Sequence, residues 1–153
     1  MENKLNVLSR IAAALNSRHI TWAVGASAML YLNGITDHFN DLDIMVDERD
    51  IAEAKAILDT MGSLQARIPN AGFKTKHFLE YVIDGVDADV MAGFIITKDG
   101  TDYPLPFDES HIERVVTLNG QNIPLQHRSD WQYYYTLLDR PHKALMCNDP
   151  PQC

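Results

Sequence analysis

Residues 41–46, Asp-Leu-Asp-Ile-Met-Val, set two carboxylates into an otherwise apolar strand. Successive side chains of a strand alternate faces, so Leu42, Ile44 and Val46 serve a core while Asp41 and Asp43 share the opposite face. The two acids advance about 6.6 Å along that face. A sheet built on this strand has one face for a core and one that carries paired negative charge. Left bare, mutual repulsion and partial burial raise at least one of the two pKa values, and a cation relieves that cost. Oxygen-only ligands of this kind favour Mg²⁺, which keeps several waters and also binds substrate phosphates. Taken alone, the pair also fits a solvated strand edge beside a turn.

The flanking segments supply the rest of a sheet. Leu5, Leu8, Ile11, Ala12 and Leu15 recur at three and four, which predicts an amphipathic helix over 3–17. A short buried strand follows at 19–24 and ends at Gly25; Ser27 is expected to cap a helix that stops at Asn33 and Gly34. After the Asp41–Val46 strand, Asp50 is expected to cap a helix with Ile51, Ala54, Leu58 and Met61 on its apolar face, closed by Gly62. Asp84-Gly85 and Asn119-Gly120 each sit between apolar alternating runs and predict two hairpins. Ser129 and Asp130 open a last helix with Trp131, Tyr134, Tyr135 and Leu138 on one face, ended or bent by Pro141. This order predicts an α/β (α+β) fold, a mixed sheet flanked by helices with a short C-terminal helical segment.

The 153 residues suit one domain, expected over 1–147, with 148–153 as a flexible tail. An apolar fraction of 46% with 22% charged residues is that of a globular chain, and the net charge of −8 argues against a protein that grips long nucleic acid through many phosphates. No signal peptide or membrane span is read, so no membrane association and a cytoplasmic location are expected. Cys147 and Cys153 lack CxxC spacing and read as reduced thiols. His19, His38, His77, His111, His127 and His142 lack the spacing of metal ligands.

Two further features bear on the acidic strand. Gly25-Ala26-Ser27 lies between a buried strand and a helix start, where glycine permits a sharp turn and free N–H groups can meet a phosphate. It has no GxxxxGK, and a plain tight turn fits it too. Asp87 and Asp89 again share one face of an expected strand, which makes a site of three carboxylates and two metal ions a candidate; such ions lie about 3.5–4 Å apart and clamp the attacking and leaving oxygens of a phosphoryl displacement.

Gly25-Ala26-Ser27, thirteen intervening residues, Asp41-Leu42-Asp43 and a later Asp89 followed by apolar residues together resemble the motif of the nucleotidyltransferase superfamily, the polymerase-beta-like fold. Small bacterial members, antibiotic nucleotidyltransferases and abortive-infection toxins, are the most similar in outline, over about residues 5–145. The resemblance implies that Asp41 and Asp43 bind the metals that hold an NTP's triphosphate. It implies that Asp89 binds the catalytic metal and helps deprotonate an acceptor hydroxyl. Gly25 and Ser27 would hold phosphates, and two Mg²⁺ ions would be the cofactors. Arg140 and Lys143 could reach the triphosphate, or serve the dipole of a helix C-terminus. Asp87 reads as a support for a metal ligand or as a solvent-facing residue beside the turn. Trp131, Tyr134 and Tyr135 read as core rather than as a base-stacking platform, with Tyr133 on the other face.

Three positions depart from the family's pattern. Ala26 replaces a second glycine, and His38 and Asn40 stand where Arg and Ser or Thr are frequent. The single C-terminal helical segment also replaces a longer helical domain in many relatives, so a homo-oligomer or another partner is a candidate to complete the pocket. The expected activity is Mg²⁺-dependent, NTP-consuming nucleotidyl transfer, with ATP among the candidate donors, to a hydroxyl acceptor. A small molecule is favoured over RNA or protein as that acceptor. The alternatives are a degenerate fold that binds nucleotide or protein, and a toxin or antitoxin component acting on tRNA or a partner protein.

Overall fold

A computed structural model describes residues 1–66 and 74–149. The last four positions of the expected tail, Cys153 among them, lie outside the described residues. Nine strands and five helices are found among those described. Seven strands form one mixed sheet in the order β3-β4-β5-β2-β1-β9-β8, and two more form a separate hairpin.

The sheet centre is β1 (Trp22–Gly25), antiparallel to β2 (Leu42–Val46), which runs parallel to β5 (Val86–Ala92). On the other side, β1 runs parallel to β9 (Gln121–Gln126), which pairs antiparallel with the edge strand β8 (Ile112–Leu118). β5 continues antiparallel to β4 (His77–Ile83) and then the two-residue β3 (Ser63–Leu64). Cross-strand register lines up Leu125, Val24, Ile44, Val90 and Leu79 in one row. The next row, pointing to the opposite face, is Gly25, Asp43, Asp89 and Glu80. One face is thus apolar across its width and the other carries a line of carboxylates.

Helices α1 (Glu2–Ser17) and α3 (Ile51–Leu58) cover the apolar face. Trp22, on that face, donates its indole N–H to Asn16 of α1 at 2.9 Å, and the Tyr81 hydroxyl donates to Asp59, just past α3, at 2.7 Å. Val7, Leu8, Ile11, Ala12 and Leu15 of α1 are all fully buried, as their spacing predicts. The carboxylate face is covered by α2 (Ala26–Leu32), α4 (Arg128–Leu137) and α5 (Pro141–Met146), together with the hairpin β6 (Phe94–Lys98) and β7 (Thr101–Leu105).

Several expectations at element ends differ from what is found. Ser27 does not cap α2: it lies inside the helix, and Gly25 takes the cap position without a side-chain bond. Asp50 precedes α3 but spends its carboxylate on the Thr21 N–H at 2.9 Å, while Asp47 caps the intervening 3₁₀ turn at 48–50. α3 ends at Leu58, before Met61 and Gly62. Pro141 does more than stop α4, because it opens α5 at a first-turn position that needs no N–H. Leu138 falls just past α4 and is exposed. β6 and β7 form a third hairpin. Its turn residues Asp99 and Gly100 have φ of 50° and 77°, matching Asp84-Gly85 at 48° and 77° and Asn119-Gly120 at 51° and 77°. Positive φ at both central residues is the hairpin geometry that Asp-Gly and Asn-Gly favour.

Candidate active site

Asp43 and Asp89 are directly paired across the parallel β2–β5 ladder, so their Cα atoms sit about 4.8 Å apart with both side chains on the same face. Asp41 precedes β2 and is exposed. All three line a cavity of about 490 Å³ between the sheet and the α4–α5 pair. Ser27, Arg140 and Lys143 line it as well. Of the acidic and phosphate-turn residues singled out in the sequence, Gly25 and Asp87 stand outside it. Gly25 is needed for another reason: a Cβ there would lie 2.3 Å from the Trp131 indole nitrogen. Its missing side chain admits α4 to the sheet. Asp87 is exposed beside the hairpin turn, close enough to add its charge to Asp89.

Electrostatics follow from this crowding. Burial, then the charges of Asp89 and Asp41, pushes the Asp43 carboxyl up to about 7, against a partial offset from Lys143 and Arg140. Asp89 is raised to about 6 by burial and by Glu80, Asp41 and Asp87. Neither carboxylate makes a hydrogen bond or ion pair with another described residue. Across the cavity, Lys143 Nζ donates to the Ser27 hydroxyl at 3.2 Å and lies 5.7 Å from the Tyr135 ring centroid. Among the described residues, neither Lys143 nor Arg140 forms an ion pair. Anionic and cationic groups thus line one cavity without forming an ion pair.

The donor set fits a hard divalent cation, since all three carboxylates are oxygen donors whose repulsion a cation would relieve. No group of three or more His, Cys, Asp or Glu among the described residues is gathered closely enough to hold a metal by itself. A cation here would complete its shell with water and ligand phosphate oxygens, the usual habit of Mg²⁺.

The wall behind Ala26 is held by a buried network centred on Gln126. Its amide carbonyl accepts from the Trp131 indole at 2.9 Å, and its amide NH₂ donates to Asp130 at 3.1 Å and to the Tyr134 hydroxyl at 3.2 Å. Phe94 stacks on Trp131 with centroids 6.4 Å apart. Trp131 and Tyr135 are buried, as core residues are, and also line the cavity. Ala26 itself has φ of 52°, a left-handed conformation that L residues resist, which gives a physical reason for glycine at this position in similar motifs. Of the two other departures, Asn40 lines the cavity, whereas His38 lies outside it with Nδ1 2.7 Å from Asp37. Sequence reasoning missed Gln126, Phe94 and the whole β6–β7 wall. Asp99-Gly100 carried the signal for the hairpin; nothing marked Gln126.

No protein-family model matches the chain, and no curated protein sequence matches it. Solved structures do. A Thermotoga maritima protein assigned provisionally as a nucleotidyltransferase is 29% identical with a TM-score of 0.74, over 94% of this chain and 89% of that chain. The antibiotic-resistance factor ANT(2'')-Ia, in complex with adenylyl-2''-tobramycin, is 12% identical with a TM-score of 0.62, over 93% and 87%. The lincosamide antibiotic adenylyltransferase LnuA, bound to lincomycin, is 12% identical with a TM-score of 0.58, over 95% and 96%. With its mixed sheet, its strand-turn-helix at Gly25-Ala26-Ser27 and its aspartates aligned on β2 and β5, the chain has the nucleotidyltransferase fold.

Proposed function

We infer that this protein transfers a nucleoside monophosphate from an NTP to a hydroxyl on a small molecule, using Mg²⁺ held by Asp41, Asp43 and Asp89. The observation that carries this reading is a single cavity lined by three carboxylates and by Lys143 and Arg140, with no ion pair between the two sets. A ligand that brings phosphates together with divalent cations satisfies both at once. Burying carboxylates this close without such a ligand is costly, which argues against a fold retained only for protein binding.

Ser27, Lys143 and Arg140 bind the β and γ phosphates and hold the α-phosphorus against the carboxylate row. Asp41 and Asp43 would hold the metal ion that neutralises the triphosphate. Asp89, paired with Asp43 on the carboxylate row, receives the acceptor's proton on its carboxylate. The acceptor oxygen bonds to the α-phosphorus, the bond from that phosphorus to the bridging oxygen breaks, and pyrophosphate leaves toward Lys143 and Arg140. When bound, the metal ions neutralise phosphoryl charge and lower the acceptor's pKa. Trp131 and Tyr135 close the wall and limit water.

The test is incubation of a metabolite extract with the protein, Mg²⁺ and each of the four NTPs, followed by mass spectrometry for species heavier by one nucleoside monophosphate. Such species are expected with the wild-type protein and absent with Asp89→Asn. Their absence with all four NTPs would contradict the reading.

A further inference from the structure

The cavity has a direction. β2 and β5 run parallel, so moving along them passes from the level of Asp41 and Asp87, through Asp43 and Asp89, to that of Met45 and Met91. α2 leaves the sheet after Gly25, which pairs with Asp43, and so Ser27 with its Lys143 partner stands at the Asp41 end. At the opposite end Phe78 pairs with Met91 on the cavity face, one step beyond the Glu80–Asp89 pair. Phe94 and Ile96 of the β6–β7 hairpin line the same cavity. The Thr97 hydroxyl is also in the lining, but it is spent on Asp102 at 2.7 Å.

Phosphoryl displacement is in line: the attacking oxygen approaches opposite the departing one. If pyrophosphate departs toward Lys143 and Ser27, the acceptor hydroxyl comes from the Met91 end. We propose that the acceptor is a small molecule bearing its hydroxyl beside an apolar, ring-sized face, which packs on Phe78, Met91, Phe94 and Ile96. This rests on the nucleotidyl-transfer reading, which sets the direction of departure. A sugar seated here would leave hydroxyls against side chains that offer no partner, and that is costly. An RNA 3′ end would bring phosphates toward Glu80, which is exposed on the same face one step from Phe78.

The probes are 2-naphthylmethanol, D-glucose and the trinucleotide UpUpU, each titrated into the full-length protein and followed through the methyl NMR signals of Met91 and Ile96. ATP with Mg²⁺ is titrated separately and followed through the Ala26 methyl at the phosphate end. Naphthylmethanol is expected to shift the Met91 and Ile96 signals and to bind at least about tenfold more tightly than glucose or UpUpU. Phe78→Ser and Ile96→Asn are each expected to weaken it by about tenfold, while Ile96→Val, which keeps the apolar wall, holds affinity within about threefold. Equal affinities for the three probes, or unshifted methyl signals, with ATP binding intact, would overturn this inference alone. Naphthylmethanol binding in a protein that fails to bind ATP would overturn the transfer reading and with it the acceptor assignment. The probe comparison in the wild-type protein decides the matter even where a variant fails to fold.

Discussion

Asp43 is where cost and use meet. Its carboxyl lies near 7 in the folded protein against about 3.9 in an unfolded chain, so the folded state binds this proton more tightly. The stability tied to it is present below about pH 4 and is lost as pH rises through about 7. Asp43→Asn should therefore leave the metal-free protein's Tm nearly unchanged at pH 4 and raise it at pH 8, by about 1–2 kcal/mol or several degrees. Mg²⁺ should raise the wild-type Tm at pH 8 and the variant's far less. A Tm difference independent of both pH and Mg²⁺, measured by circular dichroism, would contradict this account. Ala26 offers a second residue-scale check. Its left-handed φ costs about 1–2 kcal/mol, more than the roughly 0.4–1 kcal/mol of extra chain entropy that glycine loses on folding. Ala26→Gly should be neutral or stabilising in urea denaturation, and a loss of about 1 kcal/mol would refute the argument. At this scale the sequence was legible for side chains whose type announces chemistry, such as Asp41, Asp43 and Asp89. It was silent for Gln126, whose role depends on three partners that α4 brings to the end of β9.

At the scale of elements, α4 reaches the sheet only because Gly25 lacks a side chain. Gly25→Ala drives a methyl into the Trp131 indole and should cost about 1–3 kcal/mol. In combination with Trp131→Leu the two costs should fall short of their sum, and a double-mutant cycle by thermal unfolding measures the coupling. Additive costs would mean the two elements do not meet there. Periodicity exposed α1 and α4, and Asp-Gly and Asn-Gly exposed two hairpins. The third hairpin carries the same dipeptide at Asp99-Gly100, but Phe94–Lys98 is too evenly apolar to show alternation, and strand character went unrecognised there. Ser27, a good cap by type, falls inside α2 and is engaged by Lys143; α3 starts after Asp50 as expected but stops at Leu58, short of Met61 and Gly62.

For the molecule as a whole, the decisive placement is one no local pattern contains. β2 and β5 are about forty-five residues apart, and only their parallel pairing sets Asp43 beside Asp89. The motif resemblance anticipated that meeting; spacing alone did not. The same assembly brings α5 across the sheet so that Lys143 bonds to Ser27. Lys143→Ala should therefore lower NTP affinity by about ten- to a hundredfold, as expected for loss of a charge-assisted contact, with secondary structure unchanged by circular dichroism. Unchanged affinity would remove Lys143 from the phosphate site. The whole account turns on a cavity that takes phosphate and cation together. Calorimetric titration with each of the four NTPs, in Mg²⁺, in EDTA, and in Mg²⁺ with Asp41→Asn plus Asp43→Asn, tests that directly. The account predicts binding of at least one NTP in Mg²⁺, lost in EDTA and lost in the double variant. Binding that survives both changes, or no binding of any NTP by the folded wild-type protein, would contradict it.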